Sequence, residues 1–169
     1  MEAFLRSVLT WPVTEAFLKA NSWGWPLNEV FHYIGLCLLI GGIGLFDLRM
    51  LGFAKRLPIE PFKQILPWGV VGFGLCTVTG LVFVTGLQAN VPIPAYDALM
   101  TNRYLQIKLG LMALAGMNLL VFNLSGMNAA VARVGPGDDA PALAKGIAAT
   151  SLAAWIGVVY FGRLIPWGL

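Results

Sequence analysis

His32, the single histidine of the chain, lies in a long apolar run and is the side chain best suited to chemistry. Glu29 stands one helical turn before it, and residues 30–46 include no Asp, Glu, Lys or Arg. A helix rises 1.5 Å per residue, so about 20 apolar residues cross the hydrocarbon core of a bilayer, and this run predicts a membrane span. An ionisable side chain inside a span is costly and therefore marks a candidate functional site.

Helix geometry predicts which groups share a face with this histidine. At 100° per residue, Glu29 and Asp47 lie about 60° from His32 on one side, and Gly35 lies about 60° away on the other. The expected face carries an imidazole with a carboxylate above and below it, beside a glycine that leaves room for a flat ligand. Asp47 and Arg49, at the far end of the run, are expected to form a structural ion pair or an anchor at the membrane edge.

Two cations in later apolar segments match the depth of the histidine. Lys108 and Arg163, counted from the outer ends of their segments, fall at about the same level. Such cations can bind a ligand that carries anionic groups. Haem b is such a ligand, because an imidazole binds its iron and basic side chains contact its propionates. Trp155, in the same segment as Arg163, could pack against the macrocycle. The alternative is that both cations only reach for lipid headgroups and that His32 only forms a hydrogen bond.

Other cofactor sites fit the sequence less well. The Glu29-x-x-His32 spacing occurs in di-iron bundles, but such a site needs a second copy of the motif and two further carboxylates, which only a symmetric dimer would supply. Copper favours sulfur ligands, and the Met and Cys residues of the spans follow no repeat and are expected to be core residues. The chain contains no CxxCH motif, no glycine-rich phosphate loop and no Ser/His/Asp arrangement.

The elements that must position these groups follow from the composition. Of the 169 residues, 58% are hydrophobic and 11% are charged, and the mean hydropathy is +0.77. Soluble domains carry about 25% charged residues, so the sequence predicts an integral membrane protein. The predicted fold class is all-α, with one domain over residues 1–169 and a four-helix bundle of spans at about 27–53, 65–88, 104–124 and 146–167. Residues 1–26, which mix charged and apolar side chains around Pro12, are expected to form an interfacial amphipathic segment.

The distribution of Lys and Arg predicts the orientation. The loops after spans 1 and 3 are basic, whereas the loop of residues 88–103 is nearly neutral. The positive-inside rule then places that loop and both termini outside, which is the periplasm for a bacterial inner-membrane protein. Gly, Ala and Ser residues in all four spans predict close helix packing and are compatible with a homo-oligomer. The chain has no dense Lys/Arg run with interleaved aromatic residues, so nucleic acid is not an expected partner.

The run WGWPLNEVFHYIGLCLLIGGIGLFDLRMLG resembles the signature of an uncharacterised family of small bacterial four-helix membrane proteins. In that signature a Trp-hydrophobic-Pro segment leads to Glu-x-x-His, a glycine-rich half-turn and Asp-Leu-Arg. The similarity continues through NRYLQIKLGLMALAGMNLLVFN and AAWIGVVYFGRLIPW. More distantly, the chain is similar to the haem-containing four-helix protoporphyrinogen oxidase family and to the bacterial copper-resistance D family. The residues that carry this second likeness are His32, Gly41, Gly42, Arg49 and Lys108.

The resemblance to the oxidase family implies a haem b site served by His32 and Lys108. Relatives often carry a histidine near the inner end of span 3, where this chain has Asn123. With one histidine, the iron would be five-coordinate, or water, Met112, Lys108 or a second chain would complete its coordination. This departure argues against porphyrinogen oxidation.

The leading hypothesis is a haem b-binding inner-membrane protein with a redox, electron-transfer or sensing role, working with a redox partner or a quinone. His32 would be the axial ligand, and Glu29 would orient it or accept protons. Lys108 and Arg163 would contact the propionates. One alternative is a haem-dependent porphyrinogen or quinol oxidase. Another is a cofactor-free structural or copper-transport subunit, in which His32 and Glu29 only bind neighbouring helices.

Overall fold

Four long apolar helices make up most of the chain. The computed structural model describes residues 2–169, which form helices and loops without a β-strand. The helices long and apolar enough to cross a membrane are Gly24–Leu51, Glu60–Thr85, Arg103–Leu124 and Ala142–Gly168. The predicted all-α membrane bundle is confirmed. The helix ends agree with the predicted spans to within a few residues, and the largest difference is at span 2, whose helix already begins at Glu60.

The helices are numbered in chain order. The two N-terminal helices are α1 (Glu2–Leu9) and α2 (Pro12–Ala20). Span 1 consists of α3 (Gly24–Leu39), a π-helical turn (Ile40–Gly44) and α4 (Leu45–Leu51). Span 2 is α5 (Glu60–Thr85), span 3 is α7 (Arg103–Leu124), and span 4 is α9 (Ala142–Leu164) with a terminal 3₁₀ turn (Ile165–Gly168). The connections include a 3₁₀ turn (Leu87–Ala89), α6 (Ala95–Thr101) and α8 (Met127–Val131).

The spans pair into two hairpins. α3 packs along α5, and α7 packs along α9. α4 and the π-helical turn contact α9 and so join the two hairpins at one end of the bundle, here called the inner end. α5 and α7 make little contact with each other. The hairpins therefore separate towards the opposite, outer end and leave space between them.

Glycines bring span 1 and α5 together. A Cβ atom on Gly35 would lie 3.0 Å from the carbonyl oxygen of Gly72, and one on Gly42 would lie 2.8 Å from the backbone nitrogen of Gly69. Small residues let helix backbones approach this closely in a membrane, where van der Waals packing drives helix association. The predicted role of small residues in close packing is confirmed at these four positions.

A π-helical turn interrupts span 1 at the sequence IGGIG. Glycine is a weak α-helix former, and three of these five residues are glycine. The turn absorbs one extra residue, so Asp47 is displaced by about 100° from the direction that a regular helix predicts relative to His32. The two residues also lie roughly 22 Å apart along the axis. The expected arrangement of carboxylates above and below one imidazole is therefore wrong for Asp47.

The first helix, the last turn and the loop between spans 2 and 3 meet at the outer end. Arg6 of α1 forms a salt bridge of 2.8 Å with Asp97 of α6. The buried side chain of Asn102 accepts a hydrogen bond of 3.0 Å from the Leu105 amide, capping α7, and donates one of 2.8 Å to the Ile165 carbonyl. The N-terminal segment is thus a pair of short helices, the first of them attached to the outer end of the bundle.

Arg49 fastens the two hairpins at the inner end. This side chain is only 1% exposed; its Nε donates to the Leu57 carbonyl (3.0 Å) and its Nη2 donates to the Gly135 carbonyl (3.3 Å). The predicted ion pair with Asp47 is wrong, because residues two apart on a helix do not face each other. Within residues 2–169, Oδ2 of Asp47 and Nη1 of Arg49 are both left without a hydrogen-bond partner.

A second link at the inner end is made by Asp139. Its carboxylate pairs with Lys55 from the first hairpin at 2.7 Å and with Lys145 at the start of α9. The Lys145 and Lys55 ammonium groups lower the pKa of Asp139 to about 2. The loops after spans 1 and 3 are therefore held together by charge as well as by the buried guanidinium.

Candidate functional site

The space between the hairpins forms a cavity of about 420 Å³ in the outer half of the bundle, here called the outer cavity. All four spans line it, and most of its walls are apolar. The ionisable side chains in its wall include Glu29 and His32 from α3, Lys108 from α7 and Arg163 from α9. Sites for small molecules and cofactors in proteins are typically apolar cavities of about 300–1,000 Å³ with a few polar groups, and this cavity fits that description.

Thr79 of α5 fixes the histidine. Nδ1 of His32 lies 2.7 Å from Oγ1 of Thr79, and the same hydroxyl lies 2.7 Å from the Leu75 carbonyl of its own helix. A hydroxyl has one proton to donate, and the carbonyl can only accept. The threonine therefore donates to Leu75, and Nδ1–H of His32 donates to the threonine. This tautomer leaves a lone pair on Nε2, and a neutral imidazole binds a metal through its unprotonated nitrogen.

Aromatic packing holds the imidazole ring in this orientation. The Phe83 ring meets the His32 ring edge to face, with centroids 5.4 Å apart, and Trp25 packs against Phe83 with centroids 5.0 Å apart. Gly80 adjoins the ring, and a Cβ atom at that position would be in ordinary van der Waals contact with Cε1 of His32, at 4.0 Å. The histidine is thus a positioned group with one free nitrogen, rather than a side chain used up by helix packing.

The two cations of the outer cavity come from the opposite hairpin. The stem of Lys108 lies over Gly162, where a Cβ atom would be 3.3 Å from Nζ. The Arg163 guanidinium stacks over the Trp167 ring at 4.9 Å from its centroid. Within the described chain neither side chain forms a salt bridge, and Glu29 is the one Asp or Glu side chain beside them in the cavity wall. The two cationic side chains can pair with the anionic groups of a ligand.

The structure brings together five of the six residues predicted to form the site. They are His32, Glu29, Lys108, Arg163 and Trp155, and Met112, a suggested further iron ligand, also lines the outer cavity. Gly35 does not lie in the cavity wall. A Cβ atom there would lie 2.7 Å from Sγ of Cys76, so this glycine serves helix contact, not ligand space.

The sequence predicts that Glu29 orients the histidine, but the structure places a different residue at the histidine ring. Thr79, not Glu29, contacts Nδ1 of the histidine. Sequence reasoning missed Thr79, Phe83 and Gly162, and the available signal was weak: a threonine or glycine in an apolar helix is common, and its contacts depend on how the helices align. Asn123, the position at which the resemblance implies a histidine, is exposed and donates to the Leu119 carbonyl of its own helix at 2.9 Å.

A second, smaller cavity of about 230 Å³ lies in the inner half of the bundle, here called the inner cavity. Asp47, Asn118 and Ser151 supply its polar groups, and the remaining wall is apolar or aromatic. Phe73, Met112 and Trp155 line both cavities and so divide one from the other. The Phe73 and Trp155 rings meet edge to face at 5.9 Å.

The described part of the chain places few side chains together that could bind a metal ion without a cofactor. Among residues 2–169, no group of three or more His, Cys, Asp or Glu side chains is placed to hold a metal ion. Comparisons of the chain with protein-family models, with curated proteins and with solved structures gave no match.

Proposed function

We propose that this multi-pass membrane protein binds haem b in the outer cavity and has a redox, electron-transfer or sensing role. The observation that carries the proposal is the contact between His32 and Thr79: Nδ1 is engaged by the threonine hydroxyl, and Nε2 has no hydrogen-bond partner within residues 2–169. A ligating histidine commonly donates its other N–H to a protein group, which fixes both its tautomer and its orientation. When bound, haem iron supplies one-electron redox chemistry.

The rest of the outer cavity supports the same ligand. Haem b has a flat apolar body and two propionates, so it requires apolar walls on most sides and cations on one. The cavity offers apolar walls, and Lys108 and Arg163 would bind the propionates. Met112 also lies in the wall, and its thioether could supply a further ligand to the iron. Glu29, which shares the cavity, is available as a proton acceptor near the histidine.

We further propose that the protein belongs in a bacterial inner membrane with its outer end in the periplasm. The basic residues of the loops after spans 1 and 3 gather at the inner end, including Lys55 and Lys145 around Asp139. That distribution supports a cytoplasmic inner end under the positive-inside rule. As part of the same proposal, the chain is related to the four-helix families whose first span carries a histidine and whose third span carries a lysine.

An absorption spectrum of the detergent-purified protein, oxidised and then reduced with dithionite, tests the proposal. We expect a Soret band and sharpened bands on reduction, with His32→Ala losing the haem because the iron loses its protein ligand. The fold should survive the substitution, since the Thr79 hydroxyl keeps its bond to the Leu75 carbonyl. Added imidazole should restore haem binding to His32→Ala by filling the space left by the side chain.

The control is Cys37→Ala, an exposed position on the same helix, which should keep the haem. Haem retained at wild-type level by His32→Ala would overturn the assignment of the ligand. A flat visible spectrum of the wild-type protein, repeated after reconstitution with added haem, would overturn the function itself.

A further inference from the structure

The inner cavity has a buried carboxyl group in its wall, that of Asp47, with Ser151 as its polar neighbour. Asp47 is 5% exposed and lines this cavity, and its Oδ2 has no hydrogen-bond partner among the described residues. The neighbouring cation Arg49 is turned away towards the loop carbonyls. Native proteins satisfy nearly all buried polar atoms, because an unpaired one is costly. A polar group of a ligand in the cavity would give the exposed part of this carboxyl group a partner.

The walls of the inner cavity indicate the body of that ligand. They are almost entirely apolar, and aromatic rings from Phe46, Phe73 and Phe122 stand around the space. The Phe46 and Phe122 rings already meet edge to face at 5.9 Å, the geometry in which aromatic groups attract each other. A small aromatic ring with an apolar tail suits such walls.

The route into the inner cavity indicates where the ligand comes from. α5 and α7 make little contact, and the cavity opens between them. Val70 of α5 and Leu119 of α7 form its rim and are 62% and 56% exposed, on the surface that faces the lipid. A ligand therefore enters from the hydrocarbon core and must be lipid-soluble.

The Asp47 carboxyl group indicates which polar group the ligand carries. A hydroxyl both donates and accepts a hydrogen bond, so it can pair with a carboxyl group whether or not that group is ionised. A carbonyl or an ether oxygen can only accept. We propose that the inner cavity is a binding site for a lipid-soluble phenol, whose ring lies among the aromatic side chains and whose hydroxyl pairs with Asp47. This site is separate from the outer cavity and does not depend on haem.

The test is a calorimetric titration of the purified full-length protein in detergent with 4-hexylphenol, compared with hexylbenzene, which has no hydroxyl. Wild-type protein should bind the phenol, and it should bind hexylbenzene roughly tenfold more weakly, as expected for one lost hydrogen bond. Asp47→Ala should weaken phenol binding by a similar factor. Glu60→Ala, which removes an exposed carboxylate at the same end, should bind as the wild type does.

A second pair of variants tests the location. A side chain at Gly116 would project into open space at the inner cavity, since no atom lies within 4 Å of its Cβ position, so Gly116→Leu should block the phenol. Gly110 on the same helix is equally open but lies outside the walls of both cavities, so Gly110→Leu should not.

The ligand-free melting temperature separates binding from folding. Removal of an unpaired buried carboxyl group should leave that temperature unchanged or raise it, as often happens when a residue serves a ligand and not the fold. A marked fall for Asp47→Ala would assign the residue a structural partner and overturn the proposal. Equal phenol binding by Asp47→Ala and wild type, equal loss in both leucine variants, or no binding by the wild type would also overturn it.

Discussion

His32 shows how a single titratable residue can be held inside a membrane helix at low cost. One nitrogen of the imidazole contacts Thr79, the ring packs against Phe83, and the other nitrogen has no hydrogen-bond partner in the described chain. The sequence could identify this histidine because it is the only one and lies in an apolar run. It could not identify the threonine, because which residue of α5 meets His32 depends on the register of two helices, and neither helix encodes that register alone.

The contact between Nδ1 and the threonine predicts the behaviour of Thr79→Val. Valine keeps the shape and removes the oxygen, so the imidazole loses its fixed orientation, and we expect haem affinity to fall by roughly tenfold. Haem titration followed at the Soret band measures this. Thr77→Val is the control, since that exposed hydroxyl bonds only to the Phe73 carbonyl of its own helix.

The same variant has a readout without haem. Since the chain has one histidine, nitrogen NMR of histidine-labelled protein reports one imidazole, and it should show a proton on Nδ1 in the wild type and a mixture of tautomers in Thr79→Val. Unchanged tautomer and unchanged affinity in Thr79→Val would contradict the orienting role.

At the scale of the helices, composition was enough to locate the spans, but it could not tell packing glycines from exposed ones. α5 contains both kinds two residues apart. A Cβ atom on Gly72 would lie 2.6 Å from the Gly35 carbonyl oxygen, whereas one on Gly74 would have no atom within 4 Å. Glycine thus brings two helices together at position 72 but makes no contact with another helix at position 74. Residues two apart on a helix point in directions about 200° apart, so Gly72 faces α3 and Gly74 does not.

This difference predicts opposite effects of two alanine substitutions. Gly72→Ala should force α3 and α5 apart and destabilise the bundle by about 1–3 kcal/mol, the usual range for overpacking. Gly74→Ala should be neutral or stabilising by up to about 1 kcal/mol, since alanine is the better helix former. The midpoint of unfolding by dodecyl sulfate, followed by circular dichroism, distinguishes them. Equal midpoints for the two variants would show that the close contact does not limit stability.

At the scale of the whole molecule, four spans require that both termini lie on one side, and the contacts of the outer end agree with this. The Asn102 side chain connects the start of span 3 to the chain after span 4. What one sequence could not show is that the hairpins separate and enclose two cavities, because the divergence arises from the pairing of spans and not from any single helix.

The orientation in the membrane is open to a direct test with reporter fusions. Alkaline phosphatase fused after Leu169 should be active and green fluorescent protein fused there should be dark, because we expect the outer end in the periplasm. Green fluorescent protein inserted after Gly137, in the inner loop, should fluoresce. The reverse pattern at both positions would place the inner end in the periplasm.

The π-helical turn has a consequence for how this chain is compared with others. A one-residue insertion in a helix can be confined to such a turn, so that the segments on either side keep their orientations. Span 1 can therefore lose one residue between Ile40 and Gly44 and become a regular helix, with His32 still facing one cavity and Asp47 the other. An alignment with an uninterrupted homologue needs a one-residue gap there. Without the gap, every position from Leu45 onwards would be paired with the wrong neighbour.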